Sequence, residues 1–489
     1  MNQAPAGNRV SNSDAQDSYV QVVPGGPVLG SITPPGSKSL TNRALICAAF
    51  AAGRSRLTGA LRSEDTEVMI EALQKIGMEV RVDDAGKTIE VANPQEPFFP
   101  AAKSKPATAS LFIANSGTTV RFLTAALSAF GGNYRLTGVP RMHQRPIGDL
   151  VQAIQPILDG SIRAESPGGC PPVHIDSGGW KPGQLHVAGS VSSQYLSGLM
   201  MAAPIRPIGA AKPTVDAGTR IVVDGELVSR PYVDMTVDVM RSFGANVTVV
   251  SEGLSEGETI AFEISALPQP SGFGYRGCDY CIEPDASAAS YFWAAAAISG
   301  GRVTVNGLSR RAIQGDVGFV DVLEKMGCEV LHEADSITVV GKPLRGVDVD
   351  MNAISDTVQT LAVVALFADG PTRVRGVAHN RFKETDRIGD LACELRKLGA
   401  QISEHDDGLS ITPPQQDSGW QGADLKTYHD HRMAMSLSLA GLKLDAVRIE
   451  DPSCTSKTYP EFFADLERLL GRPHRWGSAK AKASPKQGS

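Results

Sequence analysis

Six times along this chain, a nearly all-apolar helical stretch is followed by a strand-like run, a polar loop and an amphipathic helix. The apolar stretches cover 44–52, 122–130, 195–204, 286–298, 357–368 and 432–441. A helix without a polar face has to be buried. The strand–loop–helix copies run over 56–80, 134–157, 221–247, 302–330, 372–402 and 447–470, and some align by eye: LTGALRSEDTEVMIEAL, LTGVPRMHQRPIGDLVQAI and VNGLSRRAIQGDVGFVDVL. Such repetition, blurred by insertions, predicts a repeated supersecondary unit. Three units fall before about Cys281 and three after, and 489 residues are too many for one ordinary core. The expectation is an α/β (α+β) protein of two similar domains, each packing three buried helices. The Gly/Pro-rich stretches 24–36 and 268–277 are the expected boundaries and hinge.

Composition removes several classes of function. The net charge of −6 argues against a nucleic-acid binder. Seven scattered cysteines are no disulfide framework, and Cys278 and Cys281 form a lone CxxC with no second pair. The N-terminus has no signal-peptide succession and no apolar run reaches membrane-spanning length, so a cytoplasmic protein is expected. The Gly/Asn/Ser-rich start (1–17) and the Lys/Ser/Ala-rich end (475–489) are expected to be flexible tails.

Polar residues collect just before the buried helices. Ser37-Lys38-Ser39, Asn115 to Thr118, Ser192-Ser193-Gln194, Asp285 to Ser287, Asp356-Thr357 and His429 to Arg432 all sit there. Capping accounts for most of the Ser, Thr, Asn and Asp. It does not account for Lys38, Arg43, Arg121 or Arg432. Free N–H groups at a helix start, the helix dipole and a cation together make an anion site, and Gly117 lets an anion approach the backbone with no Cβ in the way. The loops before the outer helices add Arg145, Ser229 with Tyr232, Lys383 with Arg387, and Lys457. The run from Arg381 to Arg387 is read as a helix N-terminus, with Lys383 and Arg387 one turn apart on one face. Alone, it would pass for a solvated charged turn. Eight cations in slots related by repetition, with few carboxylates besides Asp356 and Glu384, instead call for a polyanionic ligand held between two closing domains.

Other motifs fail. PPGSKS lacks the GK[ST] order of a phosphate-binding Walker loop, because Ser37 intervenes. His429 and His431 have no third metal ligand nearby in sequence and read as structural or proton-transfer groups. Ser192-Ser193 has no triad partners.

The segments PGSKSLTNRALICAA, NSGTTVR, RPIGDL, SVSSQYL, LVSRPYVD, PDASAASYF, KETDRI, HDHRMAM and SKTYPEF occur in that order. They resemble the 5-enolpyruvylshikimate-3-phosphate synthases, an enolpyruvyl transferase family, over about 28–470. The resemblance implies two lobes of three βαβαββ units each, the inside-out barrel of that family: one over 38–283, the other over 18–37 with 284–474. It implies transfer of the carboxyvinyl group of phosphoenolpyruvate to the 5-hydroxyl of shikimate 3-phosphate, with phosphate released, by a monomer needing no metal or organic cofactor.

Carried over by position, it puts shikimate 3-phosphate against Lys38, Ser39, Arg43, Ser192, Ser193, Gln194, Ser229, Asp356 and Lys383, with Tyr232 beside its ring. Phosphoenolpyruvate falls to Lys38, Gly117, Arg145, Gln194, Arg387, Arg432 and Lys457, with Arg121 near. Asp356 is implied as base, assisted by Lys38, and Glu384 as the acid that protonates the methylene carbon, assisted by His431. Two positions depart from the family pattern: Phe122 stands where many members have Pro, and His379 where many have a substrate-facing Asn. The related transferase acting on UDP-N-acetylglucosamine is a rival, but it carries Asn where this chain has Ser39 and uses a loop Cys with no counterpart here. A non-catalytic binder of an anionic metabolite is the rival from another class. It would not need Lys38, Asp356 and Glu384 together.

Overall fold

In the computed structural model the described residues are 18–93, 108–190, 192–205, 218–252, 259–265, 274–414 and 419–478. Among these residues twelve α-helices pair into six units. These are α1 (Lys38–Ala49) with α2 (Glu64–Lys75), α3 (Gly117–Phe130) with α4 (Gly148–Ile154), and α5 (Ser193–Ala202) with α6 (Arg230–Ser242). Then follow α7 (Ala286–Ser299) with α8 (Phe319–Lys325), α9 (Val358–Ala365) with α10 (Gly389–Lys397), and α11 (His431–Ser438) with α12 (Phe462–Leu470). The odd-numbered helices are buried on nearly every side, α3 and α7 at every residue. The even-numbered ones bury one face: α10 hides Leu391, Ala392, Glu394 and Leu395 and leaves its basic last turn outward.

Each unit carries a four-stranded sheet with one shared pattern. In the fifth unit Asp348–Asp350 runs parallel to Thr372–Arg375, which is antiparallel to Gly408–Thr412, and that strand is antiparallel to Gln401–His405. The second and third units use only their own strands. Three units borrow. The first takes its outer parallel strand from Asp279–Cys281, after the third unit. The fourth takes its own from Leu29–Ile32. In the sixth, Ser18–Gln21 lies between Arg448–Glu450 and Arg475–Ser478. The start of the tail expected at 475–489 is instead a strand: Arg475–Ser478 pairs with Ser18–Gln21 at the sheet edge, and 1–17 and 479–489 lie outside the described residues.

The buried apolar side chains form two clusters. One draws on 40–282, the other on 20–32 and 286–466. Apolar alternation on the strands and all-round apolar helices leave no other way to remove that area from water. The backbone passes between the clusters twice, at 33–37 and 282–285, and the two passages lie side by side. Ser37 N donates to Glu283 O and Asp285 N to Pro35 O, both at 2.8 Å. Gly36 is required in this ribbon, since a Cβ there would sit 1.8 Å from the Gly59 carbonyl oxygen. The second passage is later than the expected 268–277: Tyr275–Arg276 pairs with Ala51–Ala52 inside the first lobe, and 268–273 lie outside the described residues.

Candidate active site

Five of the six buried helices direct their N-termini at one cavity of about 360 Å³ between the two clusters. Four of these five are capped by a side chain: Ser37, Ser116, Ser192 and Asp430 each accept from a first-turn backbone N–H. Helix α9 instead enters through the 3-10 turn Asn352–Thr357, which presents Asp356. The sixth start, that of α7, is set back from the cavity.

The first lobe supplies one wall. Lys38 reaches the Asp65 carboxylate at 3.3 Å. Arg43 is buried and fixed on all sides. Its Nε donates to Thr236 Oγ1 (2.8 Å), Nη1 to the Ser39 carbonyl (3.0 Å), and Nη2 to Ser197 Oγ (3.3 Å) and the Tyr232 carbonyl (3.1 Å). Its guanidinium lies 5.3 Å from the centre of the Phe122 ring, so this departure packs behind the cavity as a cation–π floor. Arg121 Nη1 donates to Gln194 Oε1 (2.5 Å), whose Nε2 donates to Thr118 (3.4 Å). Arg145 is held by the Asn115 carbonyl at 3.0 Å, directly over Gly117. A Cβ at Gly117 would come within 2.5 Å of Arg145 Nη2. Ser193 lines the same wall.

The second lobe supplies the other wall, and here the 381–387 run departs from expectation. It is not a helix N-terminus. A 3-10 turn covers Ala378–Phe382, Lys383 leaves helical geometry, and α10 starts only at Gly389. Asp386 is the reason: its Oδ1 accepts from Ile388 N (3.1 Å) and Gly389 N (3.0 Å), starting the helix beyond the charged run. Lys383, Glu384 and Arg387 therefore reach the cavity from a folded turn, not from one helix face.

Asp356 takes three cations, Lys383 at 2.6 Å and Arg387 at 3.3 Å on Oδ1 and Arg432 at 2.7 Å on Oδ2. Glu384 takes Arg387 at 2.9 Å and Lys457 at 3.2 Å. Lys457 reaches the site behind the lining residues, donating also to the Asn115 carbonyl of the opposite lobe (3.3 Å). Burial would raise both carboxyls, but these cations outweigh it and hold Asp356 and Glu384 well below the usual carboxylate range. Burial, with Lys38 and Arg432, keeps the His431 imidazole neutral, and neither ring nitrogen has a hydrogen-bond partner. His429 bonds Asp451 at 2.6 Å and takes no part in the cavity. The lobes are tied across the mouth by Ser229, whose N donates to Asn352 Oδ1 (2.7 Å) and whose Oγ lies 3.3 Å from His379 Nε2.

Every residue expected at the site is brought to this cavity or, for Lys457, directly behind it. The expectation of few carboxylates fails: Asp65, Asp316 and Asp430 also stand at or against it, Asp430 gripping Arg387 at 2.7 and 3.1 Å. A signal for two of them was present. Asp316 falls in the polar loop of the fourth unit, the slot that supplies Arg145, Ser229, Lys383 and Lys457 in others, and Asp65 falls just past that slot, in the first turn of α2.

The stretch of chain that builds this cleft, residues 22–466, is matched by the EPSP synthase (3-phosphoshikimate 1-carboxyvinyltransferase) family model. The chain belongs to the EPSP synthase family. Among its relatives, the 3-phosphoshikimate 1-carboxyvinyltransferase of Colwellia psychrerythraea is 43% identical over 447 residues, 91% of this chain and 98% of that one. The enzyme of the same name from Bordetella avium is 44% identical over 435 residues, 88% and 93% of the two chains. The fold is similar to that of EPSP synthase from Acinetobacter baumannii, with a TM-score of 0.74, 24% identity and coverage of 94% and 100%. It is also similar to the enolpyruvyl transferase NikO from Streptomyces tendae, with a TM-score of 0.67, 20% identity and coverage of 94% and 99%. Family membership makes the protein a transferase of the enolpyruvyl type, acting in the shikimate pathway. Among the described residues no helix is long and apolar enough to cross a membrane, and no cluster of His, Cys, Asp and Glu could hold a metal ion.

Proposed function

We propose that the cavity holds shikimate 3-phosphate and phosphoenolpyruvate side by side and joins them with residues from both lobes. The observation that carries this reading is the convergence of Lys38, Arg43, Arg121, Arg145, Lys383, Arg387 and Arg432, backed by Lys457, on a single space beside Asp356 and Glu384. At an effective dielectric near 20, each close ion pair contributes ~4 kcal/mol before desolvation, so several cations can hold two mutually repelling anions together. Lys38, Ser39, Arg43, Ser192, Ser193 and Gln194 from the first lobe would take shikimate 3-phosphate, with Ser229, Asp356, His379 and Lys383 at the other edge and Tyr232 along the ring. Lys38, Gly117, Arg121, Arg145, Gln194, Arg387, Arg432 and Lys457 would take phosphoenolpyruvate.

The chemistry follows from what binding does to the two carboxylates. Incoming phosphate and carboxylate groups compete for Arg387, Arg432 and Lys457, which now hold Asp356 and Glu384 ionised. Partial release of those cations raises both carboxyls toward the range useful for proton transfer. Asp356, with Lys38, accepts the proton of the attacking hydroxyl as its oxygen bonds to carbon 2 of phosphoenolpyruvate, and Glu384 delivers a proton to carbon 3. From the resulting ketal a methyl proton returns to Glu384 while the carbon–phosphate oxygen bond breaks, the arginines stabilising the leaving phosphate. Neutral His431, inside the same wall, is placed to relay that proton.

Both walls come from one chain, so the site needs no second subunit, which suits a monomer. All seven cysteines are free, which suits the cytoplasm. Phosphate release from phosphoenolpyruvate tests the reading. Release with shikimate 3-phosphate and none with UDP-N-acetylglucosamine is expected. The opposite preference, or tight binding without release, would overturn it.

A further inference from the structure

One buried carboxylate at the cavity is left unused by the chemistry above. Asp316 lies in the 3-10 turn Gly315–Gly318 of the fourth unit and is 4% exposed. Its partners are hydroxyls instead of cations. The Tyr232 hydroxyl donates to Oδ1 at 3.1 Å and Oδ2 at 3.0 Å, and the Ser287 hydroxyl donates to Oδ2. Burial raises its carboxyl to about 6, with Asp356 adding repulsion. Among the described residues it has no direct ion pair, a poor choice for stability in a buried carboxylate. It makes sense as an acceptor, because a hydrogen bond to a charged group is roughly twice as strong as a neutral one.

The two partners come from opposite lobes. Tyr232 sits in the first turn of α6 and packs against the first core, whereas Asp316 and Ser287 belong to the second. The Tyr232 ring lines the cavity, and its carbonyl is one of the groups fixing Arg43. The set-back start of α7 is explained by the same contact, since its first turn serves Asp316 through Ser287. Gln314, two residues before Asp316, accepts from Ala286 N at 3.1 Å and so ties the turn to that helix.

We propose that Asp316 is a positioning residue: across the cleft it holds the Tyr232 hydroxyl, and so sets the ring against the shikimate 3-phosphate side of the cavity only when the lobes are together. This rests on the substrate assignment made above. A double-mutant cycle of Asp316→Ala and Tyr232→Phe, read by calorimetric binding of shikimate 3-phosphate to the full chain and by KM and kcat, tests it. Each single variant should weaken shikimate 3-phosphate binding about tenfold, the size expected for one charge-assisted hydrogen bond. The double variant should lose no more than the worse single one, and KM for phosphoenolpyruvate should stay within about twofold, because that substrate does not use this bond. Asp316→Asn, which keeps a carbonyl acceptor, should recover part of the loss and covers the case in which the alanine variant fails to fold. Losses that multiply in the double variant, or an Asn variant as weak as Ala, would reduce Asp316 to a structural role and overturn the proposal. Wild-type protein that binds normally alongside unaffected variants would overturn this inference alone. Wild-type protein that does not bind shikimate 3-phosphate at all would overturn the substrate assignment with it.

Discussion

The four cations that the first lobe turns toward the cavity and the four from the second are held in opposite ways. Arg43, Arg121 and Arg145 are bonded to hydroxyls, an amide and carbonyls, and Lys38 alone meets a carboxylate. Burial without a countercharge lowers Arg43 to about 10 and Arg121 in the same direction. On the far wall Lys383, Arg387, Arg432 and Lys457 each touch Asp356 or Glu384. There burial is outweighed by Asp430, Glu384 and Asp356 for Arg387, and chiefly by Asp356 for Arg432, so both guanidiniums move upward. On one wall the guanidiniums rest on neutral acceptors. On the other every cation already meets a carboxylate. Countercharge is thus divided unevenly between two lobes of similar design.

That division can be broken by substitution. The largest effect is expected from Glu384→Gln, which should lower kcat by ~10²–10⁴ while leaving both KM values within a few-fold, as loss of a general acid does; steady-state kinetics would show it. An unchanged kcat would remove Glu384 from the chemistry. Next is Asp430→Asn. Arg387 and Asp430 are 1% and 0% exposed; Arg387 keeps Asp356 and Glu384, so losing its charge-assisted bonds to Asp430 should cost ~1.5–3 kcal/mol of stability in denaturant unfolding. Arg43→Met, on the first lobe's wall, should raise KM for shikimate 3-phosphate by ~10–100-fold with a smaller change in kcat. A kcat-only effect would contradict its proposed place against that substrate.

Gly117→Ala pushes a methyl group against Arg145. It should raise KM for phosphoenolpyruvate by roughly tenfold and, if glyphosate binds there as the family resemblance implies, the inhibition constant of that compound by more. Inhibition equal to that of the unaltered chain would show that Arg145 yields freely.

The smallest effect is one of pH. Burial, then Lys383, lowers His379 from 6.5 to about 3, so between those values the unfolded chain holds a proton that the folded one does not. Stability is therefore full above pH 6.5 and falls as pH drops toward 3. His379→Asn should flatten that slope by at most about 1.4 kcal/mol per pH unit, less what solvent screens at this half-buried ring. Parallel melting curves at pH 5 and 7 would show whether it does.

How much of this could be read from residues alone depended on how local the cause was. The six units were legible because an all-apolar helix such as α7 carries its burial in its own composition. The cations were legible because each sits at a helix start or in the loop before an outer helix, slots that recur. The borrowed strands were not: nothing in Ser18–Gln21 points to Arg448–Glu450 as its neighbour, and only packing of the finished sheet decides it. The 381–387 run misled for a different reason. Asp386 followed by an apolar period looks like a helix already under way, and the two backbone bonds it accepts show that it begins the helix instead. Asp65 and Asp316 escaped because a search for positive charge passes over acids in the equivalent loop or the first turn just after it.

The interlacing of sheets has a consequence for synthesis. The strands Ser18–Gln21 and Leu29–Ile32 are made long before their partners, Arg448–Glu450 and Arg302–Asn306. The lobe spanning 38–281 can close as soon as Asp279–Cys281 docks on Arg54–Thr58. During elongation the strands of the first lobe are therefore all made while the two leading strands still wait for the partners they have in the finished sheets.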